Sequence, residues 1–248
     1  MWEAVNRTDH QASADECLPE GDNFHVQFQL TGLSVDSHFV DRTAEMDALE
    51  QTLLPSGPQS GRKMHVLHGL GGIGKTQLAI AHARKQQHTY SAVIWVNSSS
   101  RDTVLQSLSA FGRRAGVDGV AESTALAASQ TPDMEAEAAA VLRWLSRERN
   151  DRWLMVFDNV DRDVKRSEND AQAFEVGAFL PAADHGSVLI TSRLASLGEI
   201  GQATEVGRLE LDQALELLGR CSGLPASDDS KISSENPSCK PNDASTDM

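Results

Sequence analysis

The sequence predicts an α/β fold, a parallel sheet covered by helices on both faces. Three observations predict it. Four short β-type runs, Met64 to His68, Ala92 to Val96, Trp153 to Phe157 and Ser187 to Thr191, are largely apolar rather than alternating, as strands buried on both faces are. Segments with apolar residues at helical spacing lie between them. Finally, the first run leads into Gly69-Leu70-Gly71-Gly72-Ile73-Gly74-Lys75-Thr76, and an Ala- and Leu-rich helical run from Lys75 to Lys85 follows at once, giving a strand, a glycine-rich loop and a helix.

Taken in order, residues 1–23 are polar, acidic and aperiodic, so they are expected to be a disordered tail. Phe24 to Leu30 alternates apolar and polar residues, and the 24–38 stretch reads either as an edge strand or extended arm lying on the domain, or as plain linker. The domain itself is expected over residues 39–210. It opens with a helical run from Thr43 to Leu54, with Met46, Leu49, Leu53 and Leu54 on one face, Thr43 available as its cap and Pro55 to Pro58 as its stop. After the second strand, Ser98 to Ser100 can cap a helix whose Val104, Leu105, Leu108 and Phe111 form an apolar stripe. Val117 to Asp133, small and acidic, reads as a loop insertion. Met134 to Arg147 reads as an amphipathic helix with Val141, Leu142 and Leu145 inward and Trp144 in the core. Beyond the third strand come a charged loop, Asp161 to Ala171, and a short apolar segment, Phe174 to Leu180, stopped by Pro181. Thr204 to Leu209 is expected to add one more strand. Residues 211–226 read as the start of a helical lid region, with Leu211, Leu215 and Leu218 spaced for burial, and 227–248 as a second disordered tail.

Composition narrows the function classes. A formal net charge of -14 argues against a general nucleic-acid surface, because phosphate backbones require clustered Lys and Arg. A nucleotide pocket needs only local positive charge. Cys17, Cys221 and Cys239 are widely separated and lack metal-ligand spacing, which excludes a disulfide framework or zinc site. His65 and His68, three apart on a strand, point to opposite faces and do not chelate. No apolar run reaches membrane-spanning length, so a cytoplasmic protein without a membrane partner is expected.

The chemistry is concentrated at the ends of the strands. Glycines let backbone N–H groups line an anion nest, and the helix behind them adds its positive end. Lys75 is placed to reach β- and γ-phosphates, and the Thr76 hydroxyl to ligate magnesium. Trp153-Leu154-Met155-Val156-Phe157-Asp158 is an apolar strand ending on a carboxylate, the Walker B pattern, with Asp158 facing the crevice where α/β sheets bind ligands. The fourth strand delivers Ser192 and Arg193 to the same edge. Arg193 is there either as a bidentate donor to a γ-phosphate or as an ordinary solvated side chain.

These stretches, in this order, resemble the nucleotide-binding domain of the NB-ARC family, within the STAND signal-transduction P-loop NTPases of plant disease-resistance proteins, apoptotic adaptors and NOD-like receptors. The resemblance is nearest to the fungal members. The family's opening motif Phe-Val-Gly-Arg stands here as Phe39-Val40-Asp41-Arg42. His68 to Ala79 is close to its Gly-Gly-Ile-Gly-Lys-Thr-x-Leu-Ala loop, and Val93-Ile94-Trp95-Val96 and Leu189-Ile190-Thr191-Ser192-Arg193 match its strand motifs. The resemblance implies a P-loop NTPase three-layer sandwich with a five-stranded parallel sheet in the order 5-1-4-3-2. It also implies that Val40 and Arg42 border adenine and ribose, that Gly71, Gly72, Ile73, Gly74, Lys75, Thr76 and Gln77 hold the phosphates, that Thr76 and Asp158 hold Mg2+, and that Arg193 senses the γ-phosphate. Asp41 replaces the motif's glycine, and Asn159 stands where many members carry a second Asp. Gly223-Leu224-Pro225 echoes a later motif without the apolar helix that should follow, so the chain is expected to stop near the end of the nucleotide-binding part.

The expected function is an ADP/ATP-binding signalling switch, part of or derived from a NOD-like immune or incompatibility receptor, with self-association or an effector protein as partner in the full-length form. The alternatives are a P-loop phosphotransferase and a nucleic-acid-dependent ATPase. Hydrolysis, if any, should be slow and Mg-dependent, because the Asn159 amide accepts no proton from an attacking water. Asp161 is the other candidate base. Asp158, Asp161 and Arg193 are therefore the candidate catalytic residues.

Overall fold

The structure, a computed structural model, describes residues 24–30, 36–55, 61–120, 133–162 and 173–222. The expected tails and the Gly223-Leu224-Pro225 echo lie outside these. So do most of the expected charged loop after Asp161 and most of the expected insertion after Val117.

Among the described residues, ten elements make three layers. In chain order they are α1 (Thr43–Leu53), β1 (Lys63–His68), α2 (Lys75–Lys85), β2 (Ala92–Asn97), α3 (Arg101–Ala115), α4 (Met134–Leu145), β3 (Trp153–Asp158), β4 (Ser187–Ser192), β5 (Gln202–Glu205) and α5 (Leu211–Ser222), with short 3-10 turns at Val176–Phe179 and Ala195–Ile200. All strand pairs are parallel, and the sheet order is β2-β3-β4-β1-β5, the expected one read from its other edge. Register aligns the strand ends: Asn97 lies across from Asp158, and His68 lies between Ser192 and Glu205. Each strand therefore hands its C-terminal residue to one edge, where parallel sheets bind ligands.

Successive strand residues point to opposite faces, so a run that is apolar throughout feeds two cores. Val66, Met155, Phe157, Val188 and Ile190 pack with α3 and α4. Leu67, Leu154, Val156 and Leu189 pack with α1 and α2. The stripe of α3 is buried as its spacing predicts, and Ser100 caps that helix reciprocally with Thr103. Trp144 is in the core, edge-on to Phe24 at 5.6 Å. That contact, together with the Val26 N–H donated to the Ser91 carbonyl at 2.8 Å, makes residues 24–30 an extended arm and not a strand or a loose linker.

Three expectations change. Thr43 does not cap α1: the N-cap is Arg42, with no side-chain cap bond, because the chain turns into the helix one residue early. The fifth strand is Gln202–Glu205 and not Thr204 to Leu209. Its residues are mostly exposed, so no apolar run marks it, and its pairing with β1 alone defines it. Leu211, Leu215 and Leu218 are spaced for burial, yet they are 73, 56 and 64% exposed, because no described element lies over that face of α5. Asp41, by contrast, causes no distortion. Asn159 is the one described non-glycine residue at positive φ, so the motif's lost glycine was not needed for backbone freedom.

Among the described residues, no helix is long and apolar enough to cross a membrane.

Candidate functional site

The loop between β1 and α2 takes its shape from two demands. Gly69, at φ 143, passes so close to the end of β5 that a Cβ would stand 2.7 Å from the Val206 carbonyl oxygen. Gly74, at φ 102, turns the chain directly into α2 and offers no side-chain cap. The first N–H groups of α2 are thereby left to the cleft in front of them, which is the arrangement that receives anions.

That cleft, about 470 Å³, is lined by Gly71, Gly72, Gly74, Lys75, Thr76 and Gln77 from the loop and helix, by Asn159 and Asp161 after β3, and by Thr191, Ser192 and Arg193 from β4. The structure thus brings together every expected phosphate and catalytic residue except Ile73, which faces the other way and packs on the α1/α2 core, and Asp158, which lies one step deeper. A second cleft, about 520 Å³, continues past Thr76, Asp158 and Asn159 to Trp95, Asn97 and Arg114.

At the floor, the Thr76 hydroxyl donates to Asp158 Oδ1 at 2.8 Å and the Thr191 hydroxyl to the same oxygen at 2.6 Å. Thr191 also accepts the Asn159 N–H at 2.9 Å. This threonine was missed as a site residue. It is the polar position ending an apolar run, but only the β3–β4 pairing reveals that it orients Asp158. A hydroxyl and a carboxylate this close, with further oxygens around them, form a hard-oxygen set suited to magnesium. Among the described residues, no group of three or more His, Cys, Asp or Glu is placed to hold a metal ion.

Lys75 is nearly buried and donates to the carbonyls of Gly69 at 3.0 Å and Leu70 at 2.8 Å. Desolvation lowers its pKa, and Arg193 lowers it further, while Asp161 and Asp158 act the other way. An ammonium so placed gains from an anionic partner. The glycine nest, the open helix end and this cation together fit a polyphosphate.

Val40 and Arg42 stand apart from the cleft. Val40 is buried. The Arg42 guanidinium donates to the Ile73 carbonyl at 3.0 Å, the Gly207 carbonyl at 2.9 Å and Glu45 at 3.2 Å, so it braces the phosphate loop against the segment after β5. Gln77 accepts the Asp36 N–H at 2.9 Å.

Asp161 is not loose. The Val160 N–H donates to the Thr191 carbonyl, the Ser192 hydroxyl donates to the Val160 carbonyl, and both Asp161 oxygens accept from Arg193.

The sequence profile described as the NB-ARC domain matches residues 42–223. A nucleotide-binding leucine-rich repeat (NLR)-like protein of Hyaloscypha variabilis is 26% identical over 166 residues, which is 64% of this chain and 16% of that protein. Among solved structures, Cdc6p from Pyrobaculum aerophilum matches with a TM-score of 0.51 at 13% identity, over 78% of this chain and 52% of that one, a likeness of fold alone. A Signal Transduction ATPase with Numerous Domains carrying a tetratricopeptide repeat sensor, from Pyrococcus horikoshii, matches with a TM-score of 0.43 at 17% identity, over 77% of this chain and 26% of that one. The chain spans well under two thirds of each of these proteins. With the profile matching the greater part of its length, from Arg42 to Gly223, this chain belongs to the NB-ARC family.

Proposed function

We propose that this chain is an adenine-nucleotide switch module of an NLR-like receptor, binding ADP and ATP with magnesium and hydrolysing ATP slowly if at all. The observation that carries the proposal is the floor of the cleft, where Thr76 and Asp158 meet at 2.8 Å directly below a glycine nest and beside a nearly buried Lys75. In this reading Gly71 to Gln77 hold the phosphates, Lys75 exchanges two loop carbonyls for phosphate oxygens, and Thr76 and Asp158 hold Mg2+, with Thr191 keeping the carboxylate aimed. Magnesium supplies charge neutralisation at the β- and γ-oxygens when bound. Val40 and Arg42 shape the nucleoside side, Arg42 through the loop backbone it braces.

Two features support slow hydrolysis. Asn159 lines the cleft but has no basic oxygen to take a proton from water. The two oxygens of Asp161 are both occupied by Arg193, at 2.7 and 2.5 Å. Neither residue is set up as a general base. A site that binds firmly and turns over slowly holds its state long enough to act as a switch.

The purified protein is expected to release adenine nucleotide, mostly ADP, on denaturation, and to bind ADP by calorimetry in the presence of magnesium. Release of no nucleotide, together with no heat of ADP binding, would overturn the proposal. Asn159→Asp is expected to raise single-turnover hydrolysis, since a positioned base contributes about 10² to 10⁴ in rate. Its left-handed backbone, φ 69, is open to Asp as well as Asn, so folding should not obscure the result.

A further inference from the structure

Among the described cations in the cleft, Arg193 is the exposed one, with 61% of its side chain accessible, whereas its partner Asp161 is 10% accessible. The contact between them is unusual in form. Asp161 Oδ1 accepts the backbone N–H of Arg193 at 2.7 Å, and Oδ2 accepts its Nε–H at 2.5 Å. One carboxylate thus grips the root and the neck of one arginine, and the two terminal nitrogens of the guanidinium take no part in the grip. A partner competing for the arginine's ligand-binding end would engage those terminal nitrogens, as end-on, fork-to-fork Arg–carboxylate pairs do.

The backbone that carries this carboxylate is itself tied down. The Asp161 N–H donates to the Asn159 carbonyl at 2.9 Å, the Val160 N–H donates to the Thr191 carbonyl at 2.9 Å, and Ser192 closes onto Val160. The turn after β3 is thereby tied to the end of β4. On the far side, the Arg193 side chain runs along Gly71: a Cβ built there would lie 3.7 Å from Arg193 Cδ. The Arg193 side chain therefore lies against the phosphate loop and lines the cleft while still in the grip of Asp161.

We propose that Asp161 is a positioning residue that sets the preference of this site for triphosphate over diphosphate, by holding Arg193 extended toward the place of a third phosphate. The inference rests on the nucleotide reading above. A long side chain that must be ordered on binding costs rotamer entropy, and one that is already held does not, so the contribution appears only with the ligand that Arg193 touches. Removing the carboxylate also removes a negative charge near Lys75, and by charge alone that favours the more highly charged triphosphate at least as much as the diphosphate, so a lowered ratio is opposite in sign to the charge effect. The ratio of the two affinities separates the two effects.

The test is magnesium-dependent calorimetry of the full chain with ADP and with a non-hydrolysable ATP analogue, on wild type, Asp161→Ala, Arg193→Ala and the double variant, with each melting temperature recorded. Asp161→Ala is expected to lower the triphosphate-to-diphosphate affinity ratio roughly five- to tenfold without weakening ADP. Arg193→Ala should lower the ratio at least as much, and the double variant should match Arg193→Ala, because the carboxylate acts through the arginine. Asp161→Asn, which can still accept the backbone N–H, should fall between. A raised ratio in Asp161→Ala would mean that the carboxylate restrains Arg193 instead of aiming it, and would overturn the inference. An unchanged ratio in Asp161→Ala would also overturn it, as would equal weakening of both nucleotides with a fallen melting temperature. Wild type binding neither nucleotide would instead overturn the proposed function itself.

Discussion

Lys75 and Thr191 meet the same cleft from opposite sides and differ in how their loss should read out. Lys75 Nζ donates to two carbonyls of its own loop, at 3.0 and 2.8 Å, contacts that water can replace at the mouth of the cleft but that a phosphate would replace with charge. Lys75→Ala is therefore expected to keep the fold and to weaken triphosphate binding roughly ten- to hundredfold, in line with about 1.5–3 kcal/mol for a hydrogen bond to a charged group. Calorimetry beside a melting curve checks it. A large fall in melting temperature would make the lysine structural. Thr191 acts one step back, bonding Asp158 at 2.6 Å and the Asn159 N–H at 2.9 Å. Thr191→Val should weaken magnesium-dependent binding at least about tenfold, as loss of a residue that orients a metal ligand does, and leave magnesium-free binding nearly unchanged. A magnesium titration of nucleotide affinity separates the two.

At the scale of elements, the first and last described helices behave differently although both carry leucine stripes. In α1, Leu49 and Leu53 are fully buried, and the Leu53 carbonyl accepts from both the Tyr90 hydroxyl at 3.1 Å and the Ser187 hydroxyl at 2.6 Å, which pins the helix to the sheet. In α5, no residue is buried. Leu215→Lys is therefore expected to change stability by no more than about 0.5 kcal/mol, the range of ordinary surface changes, as read by urea denaturation. Gly186 is the opposite case. It sits at φ 79 just before β4, where an added Cβ would stand 2.3 Å from the Trp153 ring, and that ring is fully buried with its N–H donated to the Leu145 carbonyl at 3.0 Å. Gly186→Ala combines a left-handed backbone with overpacking, and roughly 2–4 kcal/mol of destabilisation is expected from the same measurement.

The molecule as a whole should be acid-sensitive for a reason outside its cleft. His65 and His82 are buried on the α1/α2 side, and desolvation pushes both down to about 4. His65 lies between the hydroxyls of Thr52 and Thr204, at 3.1 and 2.9 Å, while neither ring nitrogen of His82 has a hydrogen-bond partner among the described residues. In the unfolded chain both rings protonate near 6.5, so between that pH and about 4 the unfolded state binds more protons and stability rises with pH. The stabilisation is complete above about pH 6.5 and is lost as pH falls toward 4. Melting temperatures across this window should fall with acid, and His82→Leu should flatten the slope. An equally steep slope in that variant would place the sensitivity elsewhere.

The layers, the phosphate loop and the Walker B strand can all be read from short stretches of the sequence. These are local facts: a strand that is apolar on both faces, a glycine spacing that only one loop shape satisfies, and a carboxylate where an apolar run stops all sit within a few residues of one another. Even the resemblance that supplied the strand order rested on such local stretches. The features that depend on folding involve partners far apart in the chain. β5 exists because β1 offers it an edge, Thr191 matters because β4 lies beside β3, and Arg42 is spent on Ile73 and Gly207 because the loop and the segment after β5 meet there. The leucines of α5 satisfy the same periodicity as those of α1 and are nonetheless exposed, since periodicity says which face a helix would bury and not whether anything covers it. Asp161 was legible as a candidate base in a charged loop, but not as the partner of Arg193. Its role turns on a grip across 32 positions to Arg193, and no spacing in a sequence encodes which of two carboxylates a folded edge will bring to an arginine.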